Sequence, residues 1–297
     1  MGSRSMLVRG CVAALGVLLL VAGCGPGGGA GGREIAIQGP VTMTRTFKEG
    51  AVFKYRFKVE SQSGVKRTAY EQSVSTQTEL RTTSTVTAVK PDEVDLTMRF
   101  DYAVGGITMG DDMMPDESAA SLRGKDLNFI LDTDGRVRSW AGLSGEKALE
   151  AGAGEIAMLL YDVFPPLPDG PVSIGTTWTK PYEVPNITTT VERTFVGETT
   201  YTVSGFRQKF EINCVEIKAV SSFEFEGRAE QGGEAWLLSG DGVVEGTMLV
   251  SVENGNIVYG ASNAKMNLTG EGASVASAAA SGTVEVGTKS RLVIELM

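Results

Sequence analysis

Residues 53–59 read Phe-Lys-Tyr-Arg-Phe-Lys-Val, and residues 94–102 read Val-Asp-Leu-Thr-Met-Arg-Phe-Asp-Tyr. In both stretches an apolar residue alternates with a charged or polar one, so every second side chain points to the same face of an extended strand. One face is then buried and the other meets water, which is typical of antiparallel sheets. The pattern places Tyr55, Phe57 and Tyr102 on the buried face.

Hairpin turns separate several of the predicted strands. Asp134-Gly135 and Asn254-Gly255 are dipeptides favoured in tight hairpins, because they tolerate a positive φ. Further strands are predicted at 188–203, 206–225 and 292–296, where β-branched and aromatic residues alternate with polar ones. The predicted fold class is therefore mainly β, of the α+β type, built from antiparallel sheet.

One segment, residues 144–163, has the spacing of a helix. Leu149, Leu160 and Val163 fall in one narrow stripe at 100° per residue, and a serine at the start is placed to cap the helix. We expect one amphipathic helix here. The Pro-rich stretch 165–172 follows, and it cannot continue a helix or occupy a central strand, so it predicts a rigid connector.

The connector separates two stretches that share landmarks in the same order. Three landmarks occur twice. They are a glycine before an aromatic strand start (Gly50 and Gly175, 125 residues apart), a strand beginning with valine (Val94 and Val215, 121 apart) and a hairpin glycine (Gly135 and Gly255, 120 apart). This spacing predicts two similar halves of about 120 residues, a normal size for a domain or half-domain. Chance reuse of such turns in a β protein is the alternative.

The predicted organisation has five parts. Residues 1–23 form a signal peptide, residues 24–46 a lipidated cysteine with a Gly-rich tether, and residues 47–164 the first β-rich half with its helix. The connector 165–172 and the second β-rich half 173–297 complete the chain.

The signal peptide prediction rests on two arginines followed by an apolar run, which is too short for a stable membrane span. Its end, Val21-Ala22-Gly23-Cys24, resembles the bacterial lipobox. The resemblance implies that Cys24 becomes the first residue of the mature chain and carries a thioether-linked diacylglycerol, with acyl groups such as palmitate. The chain would then be exported and lipid-anchored to the cell membrane or outer membrane, facing the periplasm or the cell exterior. Gly25 in place of aspartate favours the outer membrane by the same resemblance.

Two further motifs lie on either side of the connector. Phe164-Pro165-Pro166-Leu167-Pro168 and Gly175-Thr176-Thr177-Trp178 make the chain similar to an uncharacterised family of bacterial lipoproteins, a domain-of-unknown-function group without known catalytic residues. The chain also resembles, more weakly, lipoprotein-carrier and mycobacterial lipid-carrier folds. That likeness implies a strongly curved antiparallel sheet wrapped around an apolar interior.

Composition excludes several classes of function. The 297 residues include no histidine, so nucleophilic sites of the Ser/His/Asp or Cys/His kind and imidazole metal sites are absent. A net charge of -9 without a basic cluster argues against a nucleic-acid partner. Of the three cysteines, Cys11 is removed with the signal peptide and Cys24 is lipidated, so Cys214 has no partner for a disulfide.

Two candidate sites have simpler explanations. Residues 109–117 combine four carboxylates with three methionines, which could hold Ca²⁺ or a soft metal, but their spacing matches no metal loop. A solvated acidic loop at a sheet edge is the preferred interpretation, and no metal or cofactor is predicted. Cys214 alternates with Phe210 and Ile212 and is expected to be a small buried apolar residue.

The sequence therefore predicts a membrane-anchored, non-catalytic bacterial lipoprotein made of curved antiparallel sheet in two similar halves. The first hypothesis is that the sheet binds a lipid or another apolar ligand, through residues that the sequence does not identify. The alternative is a cell-envelope interaction or assembly module that recognises a protein or polysaccharide. An enzyme that uses two carboxylates ranks last.

Overall fold

The computed structural model describes residues 31–67, 70–141, 163–187, 191–231, 234–273 and 283–297. Within these ranges one short helix, α1, covers Glu117–Ser121, and the strands are β1 Arg33–Glu34, β2 Val52–Arg67, β3 Tyr70–Val89, β4 Val94–Met109, β5 Asp112–Pro115, β6 Asp126–Leu131, β7 Val137–Ala141, β8 Thr177–Ile187, β9 Val191–Lys209, β10 Ile212–Gln231, β11 Glu234–Ser251, β12 Ile257–Ala273 and β13 Thr283–Leu296. The fold class predicted from the alternating pattern is confirmed.

All strand pairs in the described ranges are antiparallel and belong to one large sheet. The strand order is β1-β9-β10-β11-β12-β13-β2-β3-β4-β6-β7, with β8 added to β9 and β5 added to β4. The last strand, β13, pairs with β2, so the strands of the first half continue directly from those of the second. The path is open, since β1 and β8 lie at one end and β7 at the other.

One face of the sheet is buried, as the alternation predicts. Tyr55 and Phe57 are both 1% exposed on this face. Tyr102 is an exception, because the pairing of β3 with β4 shifts by one residue between Arg81 and Thr82. A shift of one residue moves side chains to the opposite face. Ala103 therefore takes the buried position, and the Tyr102 ring lies under the Arg81 guanidinium on the outer face.

The sheet curves around two chain segments, 41–47 and 163–172, that cross its buried face at one end. We call this the basal end; it holds the β3–β4, β6–β7, β9–β10 and β11–β12 turns. The Arg45 side chain lies there and donates to the carbonyls of Asp134 and Gly255. The nearest strands of these two turns, β6 and β12, are five positions apart in the sheet. That distance is about 24 Å in a flat sheet with strands about 4.8 Å apart. One guanidinium reaches both turns, so the sheet must bend to bring them together.

The two turns have similar hydrogen bonds, although the second turn is one residue longer. In each, the hairpin glycine donates to the carbonyl three or four residues earlier, and the strand end donates a second bond across the loop: Gly135 to Asp132 and Asp132 to Arg136, Gly255 to Ser251 and Ser251 to Asn256. The entries to β2 and β8 also match, because Gly50 donates to Val86 as Gly175 donates to Val203. These are the glycines on which the predicted repeat rests; the boundaries of the two halves stay a prediction.

Three predictions need comment. The tether assigned to residues 24–46 extends too far, because Arg33–Glu34 pairs with β9 and Met43 is 4% exposed in the core. The helix predicted at 144–163 lies outside the described residues except for Val163, which is buried. The connector 165–172 joins the core at both of its ends, since Pro165 is buried and Val172 is fully buried and forms a bridge with Val41.

Candidate functional site

A row of small side chains crosses the middle of the buried face. The cross-strand pairs of seven consecutive strands, β9 to β3, place the following residues side by side: Thr199, Ser221, Val244, Ala264, Ser290, Ser61 and Thr76. We call this row the small-residue band. Ser61, Thr76 and Ser290 are half-buried, so the surface of the band is reached by solvent on the β13–β2–β3 side.

The band lies between two walls of large side chains. On β10 the basal wall is Ile217 and the distal wall is Phe223, and the two residues between them on this face are Ala219 and Ser221. Ile217 and Phe223 are six positions apart, about 20 Å at about 3.3 Å per residue. Side chains along the band are therefore shorter than those of the two walls. From β9 to β12 they are nonetheless buried, with Val244 0% and Ala264 4% exposed.

Aromatic rings build the distal wall by lying over glycines of the next strand. Phe223 pairs with Gly242 and Phe225 with Gly240. A Cβ on Gly242 would lie 2.1 Å from the Phe223 ring, and a Cβ on Gly240 would lie 2.6 Å from the Phe225 ring. The Phe195 ring packs against both phenylalanines, with centroids 5.8 and 5.2 Å away. The glycines thus let the rings lie flat on the sheet.

The basal wall belongs to the packed core. Phe164 is its centre, with the Phe47 ring at 5.3 Å and the Phe53 ring at 6.2 Å between centroids. Arg45 closes this end and donates to the Pro165 and Gly255 carbonyls at 2.8 Å each. Burial lowers the pKa of Arg45 to about 10, so the guanidinium is still charged at neutral pH.

Each end of the band is closed by a different element. At the β4 end, α1 packs on the buried face, because a Cβ on Gly105 would lie 3.0 Å from the Ala119 Cβ. At the β8 end, Lys180 pairs directly with Thr199 and so lies on the same face as the band. Its ammonium is 3.0 Å from Asp169 of the connector, whose side chain is 93% exposed. A cation therefore marks the β8 end of the band.

The hydroxyl groups near the band bond to one another. Thr199 and Ser221 are 2.8 Å apart, and Ser63 and Thr288 are 2.9 Å apart. A buried hydroxyl with a partner does not need a polar ligand. These hydroxyl groups therefore require no polar group from a ligand, and Lys180 places a charge at the β8 end of the band.

The residues singled out in the sequence lie elsewhere. Residues 109–117 form the β4–β5 hairpin and the start of α1, where Asp116 accepts from the Ala119 amide at 3.2 Å and caps the helix. Among the described residues, no three of His, Cys, Asp or Glu are placed to hold a metal ion. Cys214 is fully buried, as predicted, and burial raises the pKa of its thiol to about 12. Cys24 lies outside the described residues.

The two motifs of the family resemblance touch each other. The Trp178 indole donates to the Pro166 carbonyl at 3.3 Å and stacks on Tyr201 with centroids 5.2 Å apart. This contact places the connector beside β8, next to Lys180. No helix in the described part of the chain is long and apolar enough to cross a membrane.

Sequence reasoning missed the small-residue band and its walls. One signal was available in β11, which is otherwise rich in valine and leucine. There Gly240, Gly242 and Gly246 are separated by even numbers of positions and so lie on one face of the strand. Glycine repeated with this period marks one face on which another group approaches closely. The row itself depends on pairing registers between strands far apart in sequence, which no local pattern gives.

Comparison with known proteins leaves the family open. No family model and no curated protein matches the chain. Among solved structures, lipovitellin, in a study of its lipid–protein interactions, is similar over 85% of this chain and 25% of its own, with 13% identity and a TM-score of 0.48. An outer membrane channel from Pseudomonas putida F1 is similar over 86% of this chain and 98% of its own, with 8% identity and a TM-score of 0.26. The chain thus spans a quarter of the lipovitellin chain. Because the sequence identities and TM-scores are this low, the function has to be argued from this chain's own residues.

Proposed function

We propose that this protein is a membrane-anchored, non-catalytic lipoprotein that holds the acyl chain of an acidic lipid along the small-residue band. Residues 1–23 would direct export, and Cys24 would carry the membrane anchor. The observation that supports the proposal most is the band itself: a row of small side chains between two apolar walls, closed by α1 and ending at Lys180.

The dimensions of the band suit an acyl chain. Seven strands at a spacing of about 4.8 Å give a length of about 29 Å. An acyl chain in one leaflet spans about half of the roughly 30 Å hydrocarbon core of a bilayer. One acyl chain is therefore shorter than the band. Each methylene group withdrawn from water contributes about 0.8 kcal/mol, so affinity should rise with chain length.

Lys180 gives the ligand a direction. Its present partner, Asp169, is largely exposed, and an ion pair of this kind contributes only about 0–1 kcal/mol. A carboxylate or phosphate at the end of an acyl chain can take the place of Asp169. We therefore expect acidic lipids to bind better than neutral lipids of equal chain length.

A filling substitution tests the site. The purified mature chain is titrated with a fluorescent fatty acid, and lipids that co-purify from membranes are identified by native mass spectrometry. Ser61→Phe places a ring in the band and should abolish both signals. Its control, Gln62→Phe, adds the same ring on the exposed outer face and should change neither. Equal binding by both variants, or lipid-free protein from native membranes, would contradict the proposal.

The head group has a separate test. Lys180→Gln should weaken binding of the fatty acid about tenfold, the effect of about 1.4 kcal/mol, and leave binding of its methyl ester unchanged. Lys218→Gln removes an exposed lysine from the outer face and serves as the control. If the acid and the ester respond alike, Lys180 does not bind the head group.

Strand addition at β8, which an assembly module could use, is not favoured by the edge. In the described part of the chain β8 pairs only with β9, and this pairing runs through Pro181 and Pro185. Proline lacks the amide donor, and in sheets it lies where that missing donor faces away from the neighbouring strand. The free edge of β8 is therefore short of donors for another chain.

A further inference from the structure

The β9–β10 hairpin has an unusual turn at the basal end. Its two central residues, Phe210 and Glu211, have φ values of 51° and 65°, and every other positive φ in the described residues belongs to a glycine. This left-handed conformation suits Asn-Gly and is unfavourable for phenylalanine. Strain of this kind persists where the surrounding structure and a function maintain it. The Phe210 side chain is nevertheless 56% exposed, so packing in the fold does not explain it.

The chain enters the fold directly beside this turn. β1 pairs Arg33 with Gln208, two residues before Phe210. Gly32 lies against the same strand, since a Cβ there would be 3.0 Å from the Gln208 carbonyl oxygen. Gly31 follows Cys24 by seven positions. A chain of that length spans at most about 25 Å, so a lipid on Cys24 holds the Phe210 turn close to the membrane.

Other side chains at this corner fit a membrane surface. The Lys209 ammonium lies 3.8 Å from the Tyr259 ring centroid and 5.3 Å from that of Phe210, so a cation accompanies the aromatic rings. Apolar rings beside a lysine are the composition of segments that lie in a bilayer interface.

We propose that the Phe210 turn inserts into the surface of the phospholipid bilayer to which the protein is anchored. The inference rests on the proposed anchor at Cys24, and it adds an orientation: the basal end faces the membrane. The exposed ring would enter the interface, and Lys209 would meet phosphate groups. Lys180, at the β8 end of the band, then lies near the same edge of the sheet as the Phe210 turn.

Site-specific labels test this contact. Phe210→Cys carries an environment-sensitive fluorophore in the mature chain, bound to vesicles of equal parts phosphatidylethanolamine and phosphatidylglycerol that contain a nitroxide-quencher lipid. Cys214 does not compete for the label, because it is fully buried and burial raises its pKa to about 12. Leu237→Cys, 54% exposed, is the matched control away from the basal end. The label at position 210 should be quenched and the label at position 237 should not.

Two further measurements separate this inference from the anchor. Mass spectrometry of the intact chain shows whether Cys24 carries the diacylglycerol, whatever the label reports. In the mature chain, residues 24–297, with Cys24→Ser, Phe210→Asn should reduce co-sedimentation with the same vesicles about tenfold, since the turn keeps its φ but loses the ring. Equal co-sedimentation, or a label at position 210 that stays unquenched on anchored protein, would overturn the inference.

Discussion

Arg45 should be a sensitive position for both stability and curvature. Its guanidinium donates to the carbonyls of Asp134, Pro165 and Gly255. In Arg45→Met these three acceptors lose their donor, at about 1–3 kcal/mol each, or about 6 kcal/mol together. The variant also avoids the cost of burying the charge. That cost is about 3 kcal/mol, since burial lowers the pKa of Arg45 to about 10. We expect a net loss of about 3 kcal/mol.

Urea unfolding of the full chain with Cys24→Ser measures this loss. Arg56→Met is the control, since Arg56 pairs with Glu295 at the surface and should change stability by less than about 1 kcal/mol. Spin labels at Thr133 and Glu253 report the separation of the two turns, and Arg45→Met should lengthen and broaden it. A loss below about 1 kcal/mol with unchanged label distances would refute the role of Arg45 in bending the sheet.

Three other outcomes follow from the geometry. Phe210 and Glu211 have a disfavoured positive φ. Replacing them by Asn-Gly should raise the free energy of unfolding, measured in urea, by about 2 kcal/mol. A Cβ on Gly242 would clash with the Phe223 ring. Gly242→Ala should therefore cost about 2 kcal/mol in the same assay, and Phe223→Leu in the same chain should recover part of that loss. Burial raises the pKa of Cys214 from 9.0 to about 12, so the thiol ionises first in the unfolded chain. Stability should then be flat up to about pH 9 and fall toward about pH 12 by up to about 1.4 kcal/mol per pH unit, and Cys214→Ala should remove this part of the fall.

Local patterns located strands but missed one turn, because the strand predicted at 206–225 is divided by the β9–β10 turn at Phe210 and Glu211. Alternation at 53–59 placed Tyr55 and Phe57 correctly on the buried face, because a strand with one wet face repeats with period two. The same rule failed at Tyr102, where a bulge adds a residue to one strand. A bulge is set by pairing with β3, and no feature of β4 alone indicates it.

The features that the sequence did not predict depend on contacts between residues far apart in the chain. Arg45 was assigned to a tether because the Gly-rich run 25–32 precedes it, yet its partners lie 89 to 210 residues away. The small-residue band likewise unites side chains of seven strands, and each strand contributes one or two residues of no special character. These side chains become neighbours only after the sheet has formed.

The long strands separate the core from the proposed site. Strands β2 to β4 and β9 to β13 contain 14 to 20 residues each. Strands of about five or six residues are usual. The basal core around Phe164 occupies one end of these strands, and Arg45 fixes the curvature there. The band and its distal wall lie beyond it, on strand length that the basal core does not use. Substitutions in the band, such as Ser61→Phe, should therefore alter ligand binding with little change in stability, whereas Arg45→Met should alter both.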